Sequence, residues 1–186
     1  GLIFVCGVGV ASALLQKSRK IVHVFISHAD RDHLTGLLQF NQLNARQGFP
    51  VIHYPKDCGS FNALEEFTRK FDPQSVGTKW NKVQPKEKIW IRKDVYVEAI
   101  RNNHVICEDE VVKSVSYKVV QVKHKLKPEY ISLKPLEIKA AIEKYGKTDT
   151  HDTIETVLLS YSGDTPCENF EHWHDSNILI HEATFI

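Results

Sequence analysis

Six consecutive residues, His28-Ala29-Asp30-Arg31-Asp32-His33, supply two imidazoles and two carboxylates. They come directly after an apolar run, Ile21 to Ser27 (IVHVFIS), that reads as a buried strand. Divalent cations of hard to borderline character take nitrogen and oxygen ligands at about 2.0–2.2 Å, and only a sharply turning loop can aim several neighbouring side chains at one point. Capping of the following helix by Asp30 or Asp32 would account for one carboxylate but for neither histidine. The segment Leu34-Thr35-Gly36-Leu37 can start that helix, whose amino-terminal dipole also favours anions. The chemistry this block points to is metal binding.

Three more residues stand where chemistry is done. Asp164, in Ser162-Gly163-Asp164-Thr165, follows an apolar strand at a glycine turn, and by itself it reads as a turn former. His104 lies in a polar loop. His181 follows Ile178-Leu179-Ile180, at a strand's end, where active-site groups gather in layered α/β folds. His23, His53, His124, His151, His172 and His174 have no such support; the last two are close in sequence but lack a third ligand at zinc spacing.

The elements that must position these groups alternate short strands with helices, which predicts an α+β or α/β layered architecture in one domain over residues 1–186. Strands are expected at Ile21 to Ser27, Phe49 to Tyr54, Ile89 to Ile91, Tyr96 to Ile100, Val115 to Val122, Thr156 to Tyr161 and Asn177 to Ile180. Helices are expected at Leu34 to Asn44, Ala63 to Phe71 and Leu136 to Tyr145, the last capped by Gly146. A chain of 186 residues can bury about 70% of its unfolded surface, enough to fold without disulfides or a structural metal. The amino-terminal run GLIFVCGVGVASALL has no basic residues ahead of it and reads as a strand and turn rather than a secretory signal. No stretch approaches the roughly 18 apolar residues of a membrane span. Four cysteines, far apart and without a C-x-x-C pair, read as reduced thiols of a cytoplasmic protein. Net charge is +1, yet between Lys113 and Lys147 nine lysines face three glutamates, a local balance of 9 − 3 = +6 that can attract phosphate.

Four ordered segments together resemble a known family. The block at His28 to His33 looks like the H-x-H-x-D-H motif of metallo-β-lactamase-fold hydrolases, with Asp30 where most members carry the second histidine. Ser162-Gly163-Asp164-Thr165 and His181-Glu182-Ala183-Thr184-Phe185 are similar to two further motifs of ribonuclease Z, the tRNA 3′-processing endonuclease. Val97-Glu98-Ala99 through His104 to Ser114-Val115-Ser116-Tyr117 resembles the segment presenting that family's third metal histidine, and Lys125-Leu126-Lys127-Pro128-Glu129-Tyr130 resembles a stretch ahead of SGDT. The resemblance implies an αββα sandwich, incomplete at both ends: the family begins earlier, with strands of the first sheet, and continues to a further metal histidine.

Carried onto these positions, the resemblance implies that His28, Asp30 and His104 hold one cation, that Asp32 and His33 help hold a second, and that Asp164 bridges them. The two ions would be zinc, with the carboxylate at Asp30 shifting the preference toward manganese or another harder cation. Asp32 would orient or deprotonate an attacking water, and His181 would assist proton transfer at the scissile phosphate. Lys123, Lys125 and Lys127, at extended-strand spacing, are candidates for binding the phosphates of precursor tRNA. No glycine- and proline-rich arm stands between Asp32 and His104. Two other functions stay open at this point: a small-substrate or cyclic-nucleotide phosphodiesterase of the same fold, and a catalytically silent RNA-binding homologue. A homodimer is left open as well.

Overall fold

The computed structural model describes residues 1–167 and 170–182. Its first sheet contains β1 (Leu2–Phe4), β2 (His23–Phe25), β3 (Val51–Pro55) and β4 (Lys79–Val83), all parallel and in that spatial order. Parallel neighbours need crossovers, and these are α1 (Val10–Leu14) with a 3₁₀ turn at Leu15–Lys20, then α2 (Arg31–Leu34) with α3 (Gly36–Asn44), then α4 (Gly59–Phe71). Crossovers of one hand between sequential neighbours lay their helices on one face. There Val24, Ile52 and Tyr54 of the strands, with Ile26 just past β2, pack with Leu37, Phe40 and Phe61 of the helices. The strands are apolar on both faces because the opposite face is covered too.

That cover is the second sheet, in the order β5 (Lys88–Arg92), β6 (Val95–Arg101), β7 (Val115–Leu126), β8 (His151–Tyr161) and β9 (Leu179–Ile180). Its strands are antiparallel apart from β8 and β9. Period-two alternation sends Val95, Val97, Ala99, Val115, Tyr117 and Val119 inward against Phe25 and Val83 of the first sheet. Tyr96, Val120 and Val122 cluster on the other side with Val157. The 3₁₀ turn Phe170–Trp173 lies over that outer face, where the Lys118 ammonium sits 5.9 Å from the Trp173 ring.

Several element boundaries differ from those expected of the sequence, each for a physical reason. β4 (KWNKV) was not expected, because an edge strand paired only to β3 can alternate lysine and asparagine with its apolar residues. α4 begins at Gly59, ahead of the expected Ala63. β7 continues to Leu126 and β8 begins at His151, beyond the expected ends at Val122 and Thr156. Pairing of β6 to β7 stops at Val95↔Gln121, whereas β7 and β8 stay paired to Leu126↔His151. Past the sheet they form a free ribbon that carries α5 (Pro128–Ile131), α6 (Pro135–Tyr145) and α7 (Lys147–Thr150). A ribbon with no buried face has no apolar stripe by which a sequence could announce it.

One polar residue lies deep between the sheets. His53 is 2% exposed, and its ring stacks on Phe25 with centroids 4.4 Å apart. Asn81 Nδ2 donates to His53 Nδ1 at 3.1 Å, so the proton resides on Nε2 and is donated to His23 Nδ1, also at 3.1 Å. Burial, and then the neighbouring His23, hold the His53 imidazole down to about 3. An unfolded histidine takes up its proton near 6.5, so this group's contribution to stability is complete above that pH and is lost as pH falls from about 6.5 toward 3. Urea denaturation of His53→Gln is therefore expected to show a shallower fall in unfolding free energy between pH 6.5 and 4 than the parent protein. Equal slopes would place the acid sensitivity elsewhere.

Candidate metal centre

The ends of β2, β6 and β8 converge, and the loop that follows each carries the residues singled out above. The His28 loop is held by backbone from the end of β1. Val5 N–H donates to Phe25 O at 2.9 Å and Cys6 N–H to His33 O at 2.9 Å. Val5 has φ 70°, the left-handed region that costs a β-branched residue on the order of 1–2 kcal/mol. The turn it makes sends Gly7 against the segment from His28 to His33: a Cβ on Gly7 would lie 2.3 Å from Asp32 O, and one on Gly36 2.0 Å from Gly7 O. Only glycine fits either place. Asp30 precedes α2, but its carboxylate makes no capping hydrogen bond. It points instead toward two imidazoles.

The Asp30 carboxylate Oδ2 is 3.5 Å from His28 Nε2 and 3.2 Å from His104 Nε2, although 74 residues separate it from His104. Asp164 divides its two oxygens: Oδ2 is 3.6 Å from His28 Nε2, and Oδ1 is 3.1 Å from His33 Nε2. The His28 ring lies 4.2 Å, centroid to centroid, from both the His33 and His104 rings. Two overlapping groups result, His28 with His33 and Asp164, and His28 with Asp30 and His104, in each of which the ligand atoms lie within 4.8 Å of one another. A sequence span of more than a hundred residues has been drawn into one cluster.

Its electrostatics suit a cation. His28 is fully buried, and its Nδ1 pairs with Ser27 Oγ at 2.9 Å. With the Nδ1 proton donated to that hydroxyl, the Nε2 lone pair faces two carboxylates and has no hydrogen-bond partner. Asp164 Oδ1 and His33 Nδ1 are likewise buried without a hydrogen-bond partner. Burial, then the His33 and His104 rings, hold His28 down to about 4, so at pH 7 it is a neutral imidazole, the form that can ligate a cation. Burial and the adjacent Glu182 carboxyl raise Asp164 to about 6. Lone pairs and carboxylates pointed at one another repel, and a bound cation is the charge that would reverse this.

Sequence reasoning passed over the residues that hold these ligands. Ser27 Oγ pairs with His28 Nδ1, and the Ser27 Cβ would lie 2.8 Å from a Cβ on Gly163, which has φ 62°. Asn102, Ser116 and Ser162 form a buried polar cluster between β6, β7 and the Asp164 loop. Nothing in a Ser or Asn at a strand end says that it will be buried, so no signal marked them.

Of the expected site residues, His28, Asp30, His33, His104 and Asp164 are brought together. Asp32 enters neither group; its carboxylate is largely exposed, with Oδ2 3.2 Å from His33 Nε2. His181 follows β9, where Ile180 O accepts the Ser162 N–H at 3.0 Å, so it borders the Asp164 loop. Its Nδ1 pairs with Glu182 O, and its Nε2 is buried without a partner. The remaining residues of that motif, 183–185, lie outside the described residues. Lys123 and Lys125 stand on the ribbon, and Lys127 precedes α5. Nine residues of strand separate Lys125 from Ser116 at the metal end, about 30 Å at the usual rise per residue. All four cysteines are free thiols, and no helix among the described residues is long and apolar enough to cross a membrane.

The layers are those of the metallo-β-lactamase fold. The structure of the metallo-β-lactamase fold protein YhfI from Bacillus subtilis matches 99% of this chain and 59% of its own length, with a TM-score of 0.56 at 16% identity. In sequence, the chain is similar to tRNase Z TRZ1 of Arabidopsis thaliana, 30% identical over 171 residues that make up 88% of this chain and 58% of the relative. It thus spans a little under three fifths of each. No protein-family model matches it.

The close backbone approach behind the metal-binding block is directly testable. Gly36→Ala would drive a methyl into the Gly7 carbonyl, and a loss of about 3 kcal/mol or more is expected in urea unfolding. Gly59→Ala, where a Cβ meets nothing within 4 Å, is expected to leave stability unchanged or raise it by up to about 1 kcal/mol.

Proposed function

We propose that this chain carries the metal centre of a metal-dependent phosphodiesterase of the ribonuclease Z type, acting at the 3′ end of precursor tRNA. The observation that carries the reading is the meeting of His28, Asp30, His33, His104 and Asp164 from three loops, with buried ligand atoms that no hydrogen bond satisfies. The sequence similarity to a tRNase Z supports the choice of reaction and of RNA.

One imidazole nitrogen has one lone pair, so His28 Nε2 serves one ion. His28, Asp30 and His104 would hold the first cation; His33 and one oxygen of Asp164, with Asp32 beside them, would contribute to a second. Asp164 suits a bridging role because its oxygens already face the two sides. The histidine-rich donor set favours zinc, and the carboxylate at Asp30 extends the range to manganese. Two such cations supply Lewis acidity toward phosphoryl oxygens and lower the pKa of a shared water. Asp32, exposed at the rim, would orient that water and accept its proton. His181 Nε2, which has no hydrogen-bond partner among the described residues, would carry a proton to the leaving 3′ oxygen.

Lys123, Lys125 and Lys127 are too far from the centre to touch the scissile phosphate. On the ribbon they would grip a polyanion about 30 Å away, roughly one turn of a nucleic-acid duplex, so a substrate held at both places must be extended. Asp152 stands opposite Lys125 and offsets part of that charge.

Metal analysis of the purified protein is expected to find bound zinc, and His104→Ala and Asp164→Ala are expected to lose it together with cleavage of bis(p-nitrophenyl) phosphate. A protein that binds no divalent ion from a metal-supplemented buffer would refute the reading. Replacing Lys123, Lys125 and Lys127 by alanine is expected to weaken precursor tRNA binding and to reduce the slope of log affinity against log salt by about 0.7–0.9 for each phosphate that is no longer neutralised. Cleavage of the small phosphodiester should survive that change. An unchanged salt slope would mean that the lysines are only solvated and that the substrate is small.

A further inference from the structure

Asn102 is the first residue after β6, and it is 8% exposed. Its side-chain amide is fully engaged. Nδ2 donates to the Ser162 carbonyl at 3.2 Å and to Ser116 Oγ at 3.2 Å, and Oδ1 accepts the backbone N–H of His104 at 3.4 Å. Ser116 Oγ gives its single proton to the same Ser162 carbonyl at 2.5 Å, so toward Asn102 it can only accept. The orientation of the amide follows from its partners. A carbonyl can only accept and a backbone N–H can only donate, so the reversed amide would set oxygen against oxygen and N–H against N–H.

The partners are what make this arrangement informative. Asn102 lies two residues before His104, and Ser162 two residues before Asp164. One planar side chain therefore bonds to both ligand-bearing loops, which are about sixty residues apart in sequence. With the Ser162 carbonyl anchored and Gly163 pressed against Ser27 at φ 62°, the direction in which Asp164 leaves its strand is set.

We propose that Asn102 is a positioning residue: it ties the placement of His104 to that of Asp164 and so sets the cation affinity of the centre. The proposal rests on the metal-dependent reading above. The competing account is a buried amide that serves stability alone.

The test uses Asn102→Asp, which keeps the shape and the acceptor for His104 but turns a second oxygen toward the Ser162 carbonyl. Zinc affinity is measured by competition with a chromophoric chelator, at a temperature where circular dichroism finds the variant folded. The expected result is a loss of about 10- to 100-fold, the range of outer-shell substitutions at metal sites, with a changed visible spectrum when cobalt(II) replaces zinc. Ser116→Ala, which loosens the Ser162 anchor but leaves the His104 bond, is expected to lose about 10-fold. A folded Asn102→Asp protein with parental zinc affinity and cobalt spectrum would overturn the proposal. Should that variant not fold, Ser116→Ala decides: parental affinity there overturns it equally. If the parent protein itself binds neither zinc nor cobalt, the metal reading fails first and this inference falls with it.

Discussion

Two hydrogen bonds across the sandwich govern how the rest of the molecule is arranged. The buried Tyr117 hydroxyl donates to Ile26 O at 2.8 Å, and Val115 N–H donates to Ser27 O at 2.9 Å. Together they join the last turn of β2 to the first residues of β7, at the point where the polypeptide enters His28. Over most of their area the sheets meet through apolar side chains, whose attraction is not directional. At this edge the spacing is set by polar groups with defined geometry. Asn102, Ser116 and Ser162 continue the same seam, so the loops that leave the two sheets face each other at a set distance. Burial raises the Tyr117 phenol well above its ordinary range, which keeps it protonated and a donor at neutral pH.

The centre built on that seam is costly to the fold. His28 Nε2 is buried without a hydrogen-bond partner among the described residues, at a penalty of about 1–3 kcal/mol, and Val5 adds backbone strain beside it. Sites of this kind are where a protein departs from its own folding rules. Asp30 adds to the repulsion: where the family resemblance leads one to expect an imidazole, a second carboxylate faces His28 and His104. The α2 backbone does not relieve it, since the Asp30 side chain makes no cap. A cation is the natural counterweight to all of these features at once.

Distance separates the chemistry from the basic surface. The ribbon of β7 and β8 leaves the sheet at the end opposite His28, and α5 and α6, which bury none of their residues, extend it further. The lysine run from Lys123 to Lys147 is thus an outlying feature of the molecule and lies apart from the His28 cluster. No arm stands between Asp32 and His104, where the family resemblance would put one; the protruding element lies instead between His104 and Asp164.

How much was legible follows from how local each feature is. The segment from His28 to His33 is six adjacent residues, so its two histidines and two carboxylates stand out as candidate ligands in the sequence alone. Buried strands such as that around Val24 and Phe25 were legible for the same reason, since apolar periodicity is written along the chain. The sequence by itself also determined that His104 and Asp164 were candidates, but only through ordered resemblance, because a lone loop histidine and a turn aspartate carry no signal of their own. The tertiary structure alone decided that Asp164 would split its oxygens between His28 and His33, that Asp32 would lie at the rim, and that Asn102 would be buried between two loops. The reason is physical: hydrogen-bond partners and burial are properties of segments far apart in sequence, and they come into being only when the two sheets close on each other.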